Sequence, residues 1–214
     1  MLTELNKILE TGEFEDDGYI RLQRVQWLDA AVQVTLDVNT GDEAATHQGW
    51  LIESVGRTFA SRFVEGVAYD FAIERNHVVL WPFTRPQVQL FFKGNVGDPL
   101  SLAGALYQEH RNTTQGWFSF DKFLNQEQHL PKLLSGGYGK LADGPDLLIE
   151  KYIHVLRRYG VEPSTLPPRP PKAWDNDRWI TIDGNVAALL FGDSFVVARD
   201  FTLRRITEGS DGAT

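Results

Sequence analysis

The chain has 214 residues, 42% of them hydrophobic and 23% charged, with 6 Trp, 6 Tyr and 13 Phe, which is enough apolar mass for a buried core and excludes a disordered chain. It has no cysteine, so disulfides, thiolate nucleophiles and Cys-based zinc sites are excluded. Its net charge of -8 is concentrated: residues 1–50 hold ten acids against three bases, whereas the other 164 residues hold 19 acids and 18 bases.

Residues 3–10 put Leu5, Ile8 and Leu9 on one helical face and predict a short helix ended by Gly12. Glu13, Glu15, Asp16 and Asp17 follow as an acidic segment. It lacks the alternating Asp/Asn spacing and distal Glu of a calcium loop, so it reads as a solvated loop. From Tyr19 the pattern has period two. Val32, Val34, Leu36 and Val38 alternate with Gln33, Thr35 and Asp37, as a half-buried strand requires. A turn at 39–42, strands over 48–55 and 57–64, and the alternation Val67, Tyr69, Phe71, Ile73 continue the pattern. Five or six successive strands with short turns predict an antiparallel meander rather than a βαβ sheet.

Residues 76–94 read as a buried strand ending at Trp81, a proline-bounded apex, and a second strand over 87–92. The apex Trp81-Pro82-Phe83-Thr84-Arg85-Pro86 is too rich in proline to continue a central strand. Trp81, Phe83 and Arg85 are therefore candidate site residues. Asp98 then offers an N-cap and Pro99 a first helical residue, with Leu100, Ala103, Leu106, Tyr107 and His110 on one face. His110 reads either as a core-edge histidine satisfied by a hydrogen bond or as a titrating group at a pocket mouth. Trp117, Phe118, Phe120 and Phe123 predict a short strand leading into a turn of helix.

Residues 135–140 (Ser-Gly-Gly-Tyr-Gly-Lys) read as a flexible loop, and its glycines do not match a phosphate cradle because Leu134 and Leu141 stand at the defining positions. The strongest helix follows. Pro145 opens it and Gly160 closes it, with Leu148, Ile149, Tyr152, Val155, Leu156 and Tyr159 inside and Glu150, Lys151, His154, Arg157 and Arg158 outside.

Residues 163–171 are so rich in proline that an extended connector is predicted. The run Pro167-Pro168-Arg169-Pro170-Pro171-Lys172 fits the form that aromatic-lined grooves recognise, while a rigid strap is the simpler reading. Beyond it, Asp183-Gly184-Asn185 reads as a hairpin turn between strands, followed by apolar runs over 186–191 and 195–198 and a further strand over 199–206. Ser194 sits in a turn but is no nucleophile elbow, since Val196 replaces the second glycine.

The fold class expected is α+β: a mainly antiparallel sheet from an N-terminal meander, two packed helices and a C-terminal β-meander. The organisation expected is a main domain at 1–162, a connector at 163–177, a meander at 178–206 packed on the main domain, and a disordered tail at 207–214. The first functional expectation is a protein-binding module. A small, acidic, aromatic-rich chain without cysteine or a catalytic signature is similar in composition to the immunity proteins that neutralise bacterial toxins, although the resemblance covers no motif. Glu13, Glu15, Asp16 and Asp17 would then complement a basic partner, mainly by speeding encounter.

The alternative is an enzyme or small-ligand binder with a pocket between the sheet and helix 98–111, using His110, Trp81 and Arg85. No histidine pair has the spacing that puts two imidazoles on one helix face, so neither a metal nor a cofactor is expected. The negative charge argues against nucleic acid. The first fifteen residues lack the features of a signal peptide, and no apolar run approaches the roughly 20 residues that span a bilayer. The expectation is a cytoplasmic protein away from the membrane.

Overall fold

The computed structural model describes residues 18–39, 41, 47–175 and 178–206. The expected helix at 3–10, the acidic residues Glu13, Glu15, Asp16 and Asp17, and the expected tail at 207–214 lie outside the described residues. Packing divides the chain into two units: Met1–His77 with Asn185–Thr214, and Val78–Gly184. The proline run lies inside the second unit.

In chain order the first unit supplies β1 (Tyr19–Leu28), β2 (Ala31–Asn39), β3 (Gln48–Arg62), β4 (Val67–Ala68) and β5 (Phe71–Glu74). The second begins with a 3-10 turn (Val78–Leu80) and α1 (Trp81–Thr84), then β6 (Gln87–Lys93), α2 (Pro99–Thr114), a 3-10 turn (Phe120–Phe123), α3 (Leu130–Ser135) and β7 (Tyr138–Pro145). It continues with α4 (Asp146–Arg158), β8 (Glu162–Thr165), β9 (Lys172–Asp175) and β10 (Arg178–Thr181). The chain returns to the first unit for β11 (Ala187–Phe191) and β12 (Ser194–Ile206). The α+β class therefore holds, with antiparallel sheet predominating. Among the described residues, no helix is long and apolar enough to cross a membrane.

The first unit is a seven-stranded sheet in the order β4-β1-β2-β3-β12-β11-β5, antiparallel throughout. β4 and β5 hold opposite ends of that order, yet only Tyr69 and Asp70 separate them in sequence. Three residue steps reach at most about 11 Å. The two ends of the sheet must therefore lie close together, and the sheet curls round on itself in the manner of a barrel. Alternate residues point inward: Val32, Val34, Leu36 and Val38 from β2 join Ile20, Trp50, Ile52, Leu189, Val196 and Phe201 in one core. Irregularities in register between Leu22 and Arg24 and around Ala198 supply the local bends that such curvature needs. Residues 48–62, expected as two strands, form one, with Gly56 taking a left-handed φ of 70° beside the irregularity.

The second unit leaves and re-enters at adjacent strands, since β5 pairs with β11 and Glu74 sits opposite Ala188. An insertion that starts and ends on neighbouring strands leaves the host sheet's pairing intact. Within the inserted unit, β6 is the middle strand of an antiparallel sheet ordered β7-β6-β8. Helix α4 packs on all three strands, and α2 packs on α4. Leu148, Ile149, Tyr152, Val155 and Leu156 form the buried stripe of α4, as its periodicity requires, each at 0–1% exposure. Burying one such side chain contributes on the order of 2 kcal/mol. Asp98 caps α2 by accepting from the Ser101 N–H at 3.0 Å.

Several local expectations are corrected. Residues 78–81 are not a strand: Val78, Val79 and Leu80 are buried in a 3-10 turn that runs into the single turn of α1. Pro82, in the first turn of α1, has a φ suited to helix and no N–H to give a ladder, so the apolar run folds up rather than extending. The face of α2 is rotated from the expected one. Leu102, Leu106, His110 and Thr114 are buried at four-residue spacing, while Leu100 and Tyr107 are exposed. Residues 135–140 are not a loop throughout, because Gly136 closes α3 and β7 starts at Tyr138. The 117–123 segment contains a 3-10 turn and no strand. The turn at Asp183-Gly184-Asn185 does not make a hairpin, since β10 pairs with β9 while β11 pairs with β12 and β5.

Candidate binding cleft

His110 is 2% exposed, and both ring nitrogens are engaged. Nε2 lies 2.9 Å from the Phe118 carbonyl oxygen and Nδ1 lies 2.8 Å from the Tyr152 hydroxyl. A carbonyl can only accept, so Nε2 carries the proton, Nδ1 is the acceptor, and Tyr152 donates its O–H. Burial lowers the His110 pKa from its ordinary 6.5, against the opposing pull of the Phe118 carbonyl and Asp121. Burial likewise pushes the Tyr152 phenol up. Phe120 and Phe123 pack against the imidazole at centroid distances of 5.5 and 6.4 Å. His110 is a neutral core histidine rather than a group at a pocket mouth.

Arg85 is committed as well. Its Nε and Nη2 donate to the two carboxylate oxygens of Asp146 at 2.9 and 3.0 Å, a bidentate pair at the start of α4. Asp146 and Tyr152 stand six residues apart on α4, about 9 Å along its axis. Arg85 and His110 thus dock at different levels of one helix and do not converge. Trp81 and Phe83 are half-buried in α1. None of these four residues lines the cleft formed by Gln87, Asp143, Arg169 and residues of β9 and β10.

That cleft, of about 680 Å³, lies under the proline run. One side comes from Gln87 of β6 and Asp143 of β7, another from Arg169 and Pro170, and a third from Lys172, Trp179 and Thr181 of the β9–β10 ribbon. The proline run is no loose connector. β8 pairs with β6, Leu166 N–H donates to Gln89 O at 3.2 Å, and Gln87 and Arg169 exchange both backbone hydrogen bonds at 2.8 and 2.9 Å. A groove-binding motif must offer an open extended backbone, whereas this one is fastened along a sheet edge as a strap.

Asp143 organises the floor. It accepts from Gln89 Nε2 at 2.8 Å, from Lys140 Nζ at 3.1 Å and from Arg169 Nη2 at 2.7 Å. Gln89 is its cross-strand neighbour in the β6–β7 ladder, so register alone brings the two together. Partial burial works against the Asp143 charge, but the hydrogen bonds from Gln89 and Lys140 and the charges of Lys140 and Arg169 outweigh it and hold the pKa below 3.8. Gln87 uses its amide to close α1, donating to the Arg85 carbonyl at 2.8 Å.

The ribbon carries the largest exposed aromatics of the unit. Trp174 and Trp179 are cross-strand partners, with ring centroids 5.4 Å apart in a T-shaped contact. They remain 50% and 63% exposed. Side chains alternate along a strand, so Lys172, Trp174, Trp179 and Thr181 share one face of the ribbon, while Ala173 and Ile180 share the other. The first face forms the cleft wall. Sequence reasoning singled out Arg169 and Lys172 only as parts of a proline motif and passed over Asp143 and the tryptophan pair. The signal was present in Trp-Asp-Asn-Asp-Arg-Trp, a turn-forming Asp-Asn-Asp between aromatics.

Among the described residues, no group of three or more His, Asp or Glu side chains is placed to hold a metal ion. No family model, no curated protein and no solved structure matches this chain.

Proposed function

We propose that the protein is a cytoplasmic binding module that engages a basic protein partner and occludes it, as an immunity- or antitoxin-type protein neutralises its target. The observation that carries this reading is the Trp174–Trp179 pair, two large rings ordered by each other yet half or more open to solvent. Tryptophans so placed are the usual energetic anchors of protein interfaces, and their prior ordering lowers the entropy lost on docking.

In sequence, residues 172–179 are electrically balanced, with Lys172 and Arg178 against Asp175 and Asp177. Attraction to a basic partner therefore falls to the acidic first quarter, including Glu13, Glu15, Asp16 and Asp17, which would act on encounter rate. The same charge disfavours nucleic acid. Capture from native lysate tests the reading. A stoichiometric partner should be retained at low salt, lost from a Trp174→Ala/Trp179→Ala double variant, and bound more slowly when the four acidic residues are reversed to lysine. Finding no stoichiometric partner, or one indifferent to salt and to both variants, refutes it.

A second reading, a small-ligand binder, is favoured by the cleft beneath the strap. Its location moves from helix α2 to Gln87, Asp143, Arg169 and the ribbon, and Trp81, Arg85 and His110 take no part in it.

A further inference from the structure

We infer that the cleft under the proline strap binds a small planar anion, an aromatic or heteroaromatic ring carrying a carboxylate or phosphate group. The inference rests on the small-ligand reading and names its ligand class. Arg169 is the centre of the argument. Its backbone is fixed in both directions to Gln87, and one guanidinium nitrogen is fixed to Asp143. A guanidinium has five N–H donors, and this contact uses one, so a positioned fork remains for an anionic ligand.

Lys172 shares the cleft, is exposed, and has no side-chain partner among the described residues. Among the described residues, the cleft lining therefore holds two cations against one carboxylate, and that carboxylate already accepts three hydrogen bonds. A cationic ligand would meet Arg169 and Lys172, and a neutral sugar would leave Lys172 without a counterpart among the described residues. Trp179 presents an open indole to the same space and Pro170 a rigid apolar side. A flat ring can stack there while its anionic group reaches the fork. A volume of about 680 Å³ accommodates a ligand of that size.

Calorimetric titration of the full chain tests this with two ring-bearing anions, indole-3-acetate and adenosine monophosphate. Controls are acetate and inorganic phosphate, which lack the ring, and indole and adenosine, which lack the charge. At least one ring-bearing anion should bind with Kd below about 1 mM, and the isolated halves at least about tenfold more weakly. The gain of each anion over its own uncharged ring, indole-3-acetate over indole and adenosine monophosphate over adenosine, identifies carboxylate or phosphate as the source. Lys172→Gln, at an exposed position with no side-chain partner among the described residues, should weaken binding about tenfold, and Trp179→Ala by a similar factor. Binding of the uncharged rings equal to that of the anions, or affinity unchanged by Lys172→Gln, overturns the anionic class while leaving a ligand site. Binding by none of the six probes overturns the class and the small-ligand reading together.

Discussion

Replacing Tyr152 by Phe removes one hydroxyl and nothing else from the interior of the second unit. The ring keeps its place on α4, so no cavity opens, but His110 Nδ1 loses its donor at 2.8 Å. The imidazole cannot turn to compensate, because Nε2 is already held by the Phe118 carbonyl at 2.9 Å. A buried acceptor is left without a partner, which costs about 1–3 kcal/mol. In a domain of about 100 residues each kcal/mol corresponds to a fall in Tm of about 4–8 °C. Urea unfolding at pH 7.5, followed by far-UV circular dichroism, measures the loss directly.

A cycle with His110→Phe should show a coupling of about 1–2 kcal/mol, since the double variant no longer has an orphaned Nδ1. The pH dependence follows from the lowered His110 pKa. The unfolded chain takes up a proton near pH 6.5 and the folded chain only below it, so the stabilising contribution is complete above 6.5 and shrinks as pH falls from there towards the folded pKa. His77, whose pKa burial also lowers, titrates in the same direction, so the His110 share is read as the difference between wild type and His110→Phe. A Tyr152→Phe variant within about 0.5 kcal/mol of wild type, or a His110→Phe variant with an unchanged pH slope, would refute the assignment of His110 as a satisfied core residue.

Three further outcomes are expected. Gly144→Ala would place a Cβ 2.9 Å from Phe123 Cδ1 and should destabilise by about 1–3 kcal/mol, read as a lower urea midpoint; an unchanged midpoint would show that the β7 contact is looser than described. Arg85→Gln breaks the pair with Asp146, but the two side chains are 39% and 31% exposed, so the loss should be no more than about 1 kcal/mol and should shrink in 1 M salt. Asp143→Asn should cost about 1 kcal/mol at neutral pH. Because the folded Asp143 pKa lies below 3.8, that contribution is present above this value and disappears as pH falls through the folded pKa, so variant and wild type should converge in acid.

The parts of the fold legible from sequence were those that a single element's pattern determines. The stripe of α4, the Asp98 cap and the alternation of β2 each depend on residues close in sequence, and each is found, except that Tyr159, expected inside the stripe, caps the end of α4 and is exposed. Partnership between distant segments was not legible. Nothing in Asp183-Gly184-Asn185 says that the strand before it pairs backwards to β9 while the strand after it joins β5 and β12. The same holds for the first unit, whose closure depends on two short strands, β4 and β5, pairing at opposite ends of the sheet.

The candidate site shows that limit most clearly. His110 and Arg85 were conspicuous because they are polar residues in apolar surroundings. Such residues need partners, and Tyr152 and Asp146, far along the chain, supply them. Asp143 carried no signal in the sequence, because Gln89 and Arg169 reach it only through the pairing of β6 with β7 and through the strap. The exposed tryptophans were hidden by their type, since an aromatic residue read alone is assigned to a core.

The central claim is that the protein acts by binding a basic partner through the Trp174–Trp179 face. Capture from native lysate, with wild type and the Trp174→Ala/Trp179→Ala variant run side by side at low and high salt, tests it most directly. The account predicts one stoichiometric basic partner on the wild type, released by high salt and missing from the variant. Equal capture by both chains, or no stoichiometric partner on either, would contradict it.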